Sequence, residues 1–227
     1  RISEYTSVIP KPMIPINGKP IIEHIIEIYS KYGFKDFYIA LGYKSEVIKE
    51  YFYNYGILNS DFKINLSNGE VKPYEKSKKD WNIHLINTGI NTMTGGRLKK
   101  LKKYLKETFL LTYGDGLSNV NLNKLIKFHK KNKKLITLTA VRPPARFGAI
   151  KINNNIVKYF REKNLLDSGW INGGFFVIEP EIFKYIKNDK TYLERSPLEK
   201  IASTGNLSAF KHHGFWQCMD TLRDKEI

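Results

Sequence analysis

Several protein classes are excluded by what this sequence lacks. A single cysteine, Cys218, among 227 residues rules out an internal disulfide and fits a reducing compartment. No stretch approaches the roughly 20 consecutive apolar residues that a membrane-crossing helix needs, and no signal-like apolar segment opens the chain. A cytoplasmic protein without membrane contact is therefore expected. Linkers rich in Pro, Gly or Ser, low-complexity tracts and internal repeats are also missing. With 41% hydrophobic residues spread along its length, the chain is expected to bury one α/β core as a single domain. It begins Arg1-Ile2-Ser3-Glu4 without a methionine, so a segment before Arg1 is expected.

Positive charge, by contrast, is abundant, with a formal net charge of +16. Much of it lies in RLKKLKKYLKE (97–107) and KFHKKNKK (127–134). In the first, Leu98, Leu101 and Leu105 fall at i, i+3 and i+7 and form an apolar stripe, which leaves the lysines on the solvated side of a helix. Charge runs of this kind are commonly solvated helix faces and no familiar nucleic-acid recognition motif appears, so no nucleic-acid partner is expected. A positive field of this size gathers anionic substrates.

The periodicities alternate strand with helix. PIIEHIIEIYSKYG (20–33) places Ile21, Ile22, Ile25, Ile26 and Tyr29 on one helical face, and Gly33 stops it. KDFYIALG (35–42) reads as a buried strand, with Ser45 as the cap of the helix that follows. Residues 57–80 read as polar and irregular. NIHLINTG (82–89) is a strand with a helix from Thr94, TFLLTYG (108–114) a strand, VNLNKLIKFHKK (120–131) a helix, and LITLTAV (135–141) a strand. Two short strands around an Asn-rich turn (147–162) follow, then a strand and a helix over 173–186. This order predicts a Rossmann-like, three-layer, mostly parallel α/β sheet with a hairpin-rich C-terminal part.

In such a sheet, ligands bind beyond the carboxyl ends of the strands. The stretch LLTYGDGLSN (111–120) leaves a strand at Gly114, exposes Asp115 and turns again at Gly116. The glycines let backbone and ligand approach, and a carboxylate there suits Mg²⁺, which prefers hard oxygen ligands. A tight turn explains Gly-Asp-Gly equally well. GFWQCMDTLRD (214–224) supplies a second carboxylate, Asp220, which reads either as a metal partner of Asp115 or as a helix N-cap.

Taken together, KPMIPINGKPIIEHI (11–25), NTMTGGRLKK (91–100), TYGDGLSNVN (112–121), GWINGGFFV (169–177) and GFWQCMDTLRD (214–224) resemble the glucose-1-phosphate cytidylyltransferases, a branch of the bacterial sugar nucleotidyltransferases. The resemblance runs in order over nearly the whole chain. It implies that CTP and α-D-glucose 1-phosphate give CDP-glucose and pyrophosphate with Mg²⁺, a product that feeds deoxysugar synthesis for cell-surface polysaccharide. It also implies a homo-oligomer, with a nucleotide-binding part over about residues 1–141 and a sugar-phosphate-binding part over about 142–227.

Carried over residue by residue, the resemblance makes Arg1 the last residue of the loop that wraps the triphosphate. That loop's glycines and the strand before them do not occur in this sequence. Lys11, between Pro10 and Pro12 in an extended loop, resembles the lysine that contacts the phosphates. Thr94, Gly95, Gly96 and Arg97 read as nucleotide-facing: Thr94 as a helix cap, the glycines as exposed backbone N–H groups, Arg97 as a fork for phosphate or base, although locally Arg97 reads first as a surface arginine of a basic helix. Gly114 and Asp115 belong to the same nucleotide side, with Asp115 and Asp220 as the metal carboxylates. Gly148, Glu162, Lys163, Asn172 and Gly173 are implied on the sugar-phosphate side. Trp170 and Trp216 read as core or pocket wall. Ala145, Asn164 and Cys218 replace the Gly, Pro and Pro expected from the family, and Ile9 replaces a lysine.

A second nucleoside triphosphate or sugar 1-phosphate is the nearest alternative. A glycosyltransferase would offer Asp-x-Asp, which Asp115-Gly116-Leu117 is not. A basic nucleic-acid-binding module is the non-enzyme rival. No histidine pair has the spacing of a closed zinc site, and His212-His213 would point to opposite faces of a strand.

Overall fold

The computed structural model of the chain describes residues 6–75, 79–143, 149–153, 156–161, 169–221 and 224. Its first element is a 3-10 turn over Lys11–Met13, where an extended loop was expected. Pro12 fits the first positions of such a turn because its fixed φ is already that of a tight coil and it has no N–H to satisfy. Strands β1 (Pro15–Ile16) and β2 (Lys19–Pro20) close on Asn17-Gly18, both at positive φ. That is the backbone a two-residue hairpin turn requires. Helix α1 (Ile21–Ser30) then buries Ile21, Ile22, Ile25, Ile26 and Tyr29, as the spacing predicts, and Gly33 follows it at φ +88°.

Strand β3 (Asp36–Leu41) pairs in parallel with β6 (Asn82–Asn87) along its full length, from Asp36↔Asn82 to Leu41↔Asn87. It is buried at Leu41 and half-buried before it, less than its apolar run suggests. Helix α2 (Ser45–Tyr53) starts on Ser45 itself, so that residue is not the cap. Lys44, left-handed at φ 48°, precedes it, and no side chain caps the helix. Between α2 and β6, the stretch expected to be irregular holds a short helix α3 (Tyr55–Leu58) and an antiparallel hairpin of β4 (Phe62–Asn65) with β5 (Glu70–Pro73). All four residues of β4 are exposed, so the Phe-Lys-Ile-Asn alternation of its sequence corresponds to no buried face.

Helix α4 (Thr94–Lys100) is shorter than the Leu stripe implies: tight turns carry the chain on from Leu101, whose N–H reaches Leu98. Leu98 and Leu101 are still buried, and Leu105 packs against the same core at partial burial. Strand β7 (Phe109–Leu111) and strand β8 (Gly116–Ser118) bracket the Asp115 loop. Helix α5 (Leu122–Asn132) is capped by Asn121, whose Oδ1 accepts from Lys124 N–H. Strand β9 (Ile136–Val141) is buried at five of its six residues. The expected hairpin follows as β10 (Ala149–Asn153) and β11 (Ile156–Arg161).

The remaining strands are β12 (Ile171–Asn172), β13 (Phe176–Ile178), β14 (Leu207–Lys211) and β15 (Trp216–Cys218), with helix α6 (Ser196–Ser203) before β14. After β13 the chain forms a 3-10 turn, Pro180–Lys184, where a helix was expected. The central sheet is mixed: β14 lies parallel to β9, while β13 is antiparallel to both β9 and β7. β12 and β13 are two parts of one run against β9, broken at 173–175, where Gly174 and Phe175 take positive φ. Phe175 is nonetheless fully packed, stacked on Tyr29 of α1 with ring centroids 5.9 Å apart. β15 pairs antiparallel with β8 and so returns the C-terminal part of the chain to the Asp115 loop.

Candidate active site

The segment after β7 runs Thr112-Tyr113-Gly114 before presenting the half-buried Asp115. A Cβ on Gly114 would stand 3.0 Å from Pro12, so its glycine lets the 3-10 turn press against this loop. The turn thereby delivers Lys11. Opposite, Cys218 pairs with Gly116 across the β8–β15 ladder, and the next N–H, of Met219, donates to the Asp115 carbonyl at 2.9 Å. Asp220 then follows beside Asp115, although the two are far apart in sequence. Asp224 gathers the N–H groups of Asp220 and Thr221, while the Asp220 carboxylate turns to Lys11.

Lys11 Nζ donates to Asp115 Oδ2 at 2.6 Å and to Asp220 Oδ1 at 2.8 Å. Burial works against its charge, but hydrogen bonds to the two carboxylates outweigh that and raise its pKa. Cys218 donates its thiol toward Asp220 Oδ2 at 3.4 Å, and burial, reinforced by both carboxylates, pushes its pKa up to about 12. Donor atoms of Asp115, Asp220 and Cys218 all lie within 4.8 Å of one another. The two hard carboxylates suit a divalent cation, whereas a protonated soft thiol does not suit Mg²⁺. The Lys11 ammonium bridging both carboxylates shows that this spot concentrates negative charge that a cation balances. The residues present therefore fit a metal held by Asp115 and Asp220.

These groups open on a cavity of about 420 Å³, walled further by Tyr113, Asn172, Gly173 and Trp216. Trp216 is pocket wall, as expected, with its Nε1–H on the Gly173 carbonyl at 2.7 Å. Asn172 donates to the Tyr113 hydroxyl at 3.3 Å and accepts Gly174 N–H at 3.0 Å. Gly173 lines the cavity, yet its missing Cβ is required by the protein itself: a Cβ would meet Val141 at 2.7 Å. Tyr113, beside the Gly114-Asp115 turn, carries no sequence signal of a site role. Its hydroxyl bonds Glu194, and burial followed by the Glu194 charge raises its pKa.

The structure corrects the reading of Thr94 as a helix cap and packs the Thr94–Arg97 segment against other parts of the chain. None of the four lines the Asp115 cavity. The N-cap of α4 is Met93, without a side-chain cap, and Thr94 Oγ1 instead donates to Glu194 at 2.6 Å and accepts Leu193 N–H at 2.9 Å. The backbone N–H groups of Met93 and Gly96 are taken by the carbonyls of Asp189 and Thr191. A Cβ on Gly95 would stand 2.8 Å from the Thr191 carbonyl oxygen, and one on Gly96 2.5 Å from that of Asp189, so the glycines serve this packing. Arg97 donates to Leu41 O at 3.0 Å, Thr88 Oγ1 at 2.6 Å and Ile90 O at 3.3 Å, so its fork grips the ends of β3 and β6.

Arg1, Gly148, Glu162 and Lys163 lie outside the described residues. Trp170 stands apart from the cavity, between Arg142 and Lys211, whose charges lie 5.0 Å and 5.6 Å from its ring. His212 and His213 follow β14 instead of belonging to it, so strand alternation does not apply to them. Among the described residues, no helix is long and apolar enough to cross a membrane.

Residues 1–217 match the model of the nucleotidyl transferase family. Glucose-1-phosphate cytidylyltransferase of Salmonella typhimurium is 49% identical over 227 residues, spanning 99% of this chain and 88% of that protein. D-glycero-alpha-D-manno-heptose 1-phosphate guanylyltransferase of Campylobacter jejuni is 31% identical over 202 residues, 88% of this chain and 79% of that one. Among solved structures, HddC from Yersinia pseudotuberculosis superposes with a TM-score of 0.70 at 22% identity, covering 100% of this chain and 91% of its own, which shows a shared fold.

Proposed function

Since the chain belongs to the nucleotidyl transferase family, and is therefore a nucleotidyltransferase enzyme, we propose that it transfers the cytidylyl group of CTP to α-D-glucose 1-phosphate. CDP-glucose and pyrophosphate are the products, and Mg²⁺ is the metal. The choice of substrates is supported by the 49% identity to the Salmonella typhimurium cytidylyltransferase over 99% of the chain. The observation that carries the chemistry is the single ammonium of Lys11 shared by Asp115 and Asp220.

The sugar phosphate brings its own nucleophile. One of its oxygens, already anionic near neutral pH, attacks the α-phosphorus in line; the bond from that phosphorus to the bridging oxygen breaks, and pyrophosphate leaves with the electron pair. No general base is needed. The harder task is to bring two polyanions together, and preorganised positive charge does this. Two of the three Lys11 donors are taken by the carboxylates, which leaves one for a phosphate oxygen. Asp115 and Asp220 hold the divalent ion, which when bound neutralises charge on the triphosphate.

On the sugar side, Asn172 retains one N–H and one lone pair for hexose hydroxyls after its bonds to Tyr113 and Gly174. Arg1 on the triphosphate, and Gly148, Glu162 and Lys163 on the sugar phosphate, belong to this reading through the family resemblance. A cytoplasmic homo-oligomer, in the compartment that holds CTP, completes it. Another nucleotide and sugar is the second reading, favoured by the 31% identity to the guanylyltransferase of Campylobacter jejuni.

Pyrophosphate release over a grid of nucleoside triphosphates and sugar 1-phosphates tests the proposal. The pair CTP and glucose 1-phosphate is expected to give the highest kcat/KM, with Mg²⁺ and without loss of activity in a nuclease-treated preparation. Product from no pair, or from Asp115→Asn at the wild-type rate, sinks it.

A further inference from the structure

The polar contacts of the Asn172 wall continue beyond the cavity and end on a carboxylate that has no place in the chemistry above. The Tyr113 hydroxyl donates its one hydrogen to Glu194 Oε1 at 2.8 Å. Its oxygen is thereby left as an acceptor, and Asn172 Nδ2 donates to it at 3.3 Å. Gly174 N–H, at 3.0 Å, requires an acceptor from Asn172 and assigns Oδ1 to that side. The amide is thus fixed in one of its two flips. Glu194 is anchored in turn, because its Oε2 accepts the hydroxyl of Thr94, the first residue of α4, at 2.6 Å, and the Leu193 N–H holds Thr94 Oγ1 at 2.9 Å. Tyr113 itself is fixed edge-on against Phe176 of β13, with ring centroids 5.8 Å apart.

We propose that Glu194 is a positioning residue for sugar recognition: it draws the Tyr113 proton to itself, leaves the phenol oxygen to accept from Asn172, and so sets which donor and which acceptor Asn172 offers to the sugar. The inference rests on the sugar 1-phosphate reading of this cavity. The logic is one of hydrogen count. A carboxylate has only acceptors, so both Thr94 and Tyr113 must donate to it. An amide at the same place has one acceptor and one donor group. With its oxygen on Thr94, Glu194→Gln turns an N–H toward Tyr113, whose own hydrogen must then swing toward Asn172. Two donors would meet there, and the Asn172 amide would be driven out of its orientation.

The test is steady-state pyrophosphate release by Glu194→Gln, Tyr113→Phe and the double variant, with glucose 1-phosphate and its 4-epimer galactose 1-phosphate. Glu194→Gln is expected to raise KM for glucose 1-phosphate about tenfold, the scale of one charge-assisted hydrogen bond, and to leave KM for CTP within about twofold. The preference for glucose over galactose 1-phosphate should shrink by a similar factor. Because Glu194 acts through the phenol, the double variant should be no worse than Tyr113→Phe. Should Tyr113→Phe fail to fold, the split between the two KM values and the epimer ratio of Glu194→Gln decide alone. Equal rises in both KM values, an unchanged epimer ratio, or a double variant worse than Tyr113→Phe by the Glu194→Gln factor overturns the assignment. A wild type inactive on every substrate pair overturns the functional reading instead.

Discussion

The N–H of Met219 bonds the carbonyl of Asp115 at 2.9 Å, and this backbone contact sets Asp220 beside Asp115. The two carboxylates are therefore placed by strand pairing between β8 and β15 and do not depend on a mobile loop meeting a substrate. Removing either charge should leave the fold standing and the reaction lost. Asp115→Asn and Asp220→Asn are each expected to lower kcat/KM at least about a hundredfold. A chelator should abolish wild-type turnover and added Mg²⁺ restore it. Pyrophosphate assays alongside far-ultraviolet circular dichroism check both points.

Lys11 gives a pH signature. Its pKa is raised above 10.5 in the folded chain, burial being outweighed by the bonds to Asp115 and Asp220. A raised pKa on a base means that its stabilisation is complete below the unfolded value and fades as pH climbs through the folded one. Lys11→Met should therefore unfold at lower urea than wild type at about pH 8, and the gap should narrow at about pH 11.5. Urea midpoints at the two pH values measure it, and a gap that widens with pH contradicts the stated balance.

Gly96 offers a stability prediction of opposite sign to helix propensity. Alanine in a helix interior is better than glycine by about 0.5–1 kcal/mol. Here the added methyl would lie 2.5 Å from the Asp189 carbonyl oxygen and 2.8 Å from its carbon, both backbone atoms. Overpacking of this kind costs about 1–3 kcal/mol, so Gly96→Ala should be a net loss, read as a lower denaturation midpoint.

Cys218 is the chain's one thiol, so its alkylation is read without background. With its pKa pushed up to about 12 by burial and then by the two carboxylates, it is almost wholly protonated at neutral pH. Iodoacetamide at about pH 8 should label it roughly a thousandfold more slowly than a free cysteine, since only thiolate reacts. Labelling should quicken in urea. Mass spectrometry over time follows both rates.

Local pattern made some of this legible. Helix α1 could be read from five apolar positions and a terminal glycine, and α5 from its stripe, because each turns its apolar positions inward. Asp115 stood out between two glycines at the end of a strand. The hairpin of β4 and β5 is easily passed over, since the Phe62-Lys63-Ile64-Asn65 alternation is short and lies in a polar stretch. Ser45 failed as a cap because Lys44, with no sequence signal, turned left-handed. Thr94 to Gly96 look like a ligand-binding helix start, and that Gly95 and Gly96 also pack on Asp189 to Leu193 has no local signal, because that segment comes from far along the chain. Glu194 escaped notice for the same reason: its importance lies in two hydroxyls brought to it by other elements.

Phe175 has φ +49°, a conformation that costs a bulky residue about 1–3 kcal/mol, and it is held there with 1% of its surface exposed against Tyr29. The kink that aims Asn172 at the cavity is thus clamped from the interior. Anyone seeking to retailor this enzyme for a different hexose should leave that wall alone and alter the groups across from it, because a swap at Phe175 would unlatch the aromatic stack long before it enlarged the binding space.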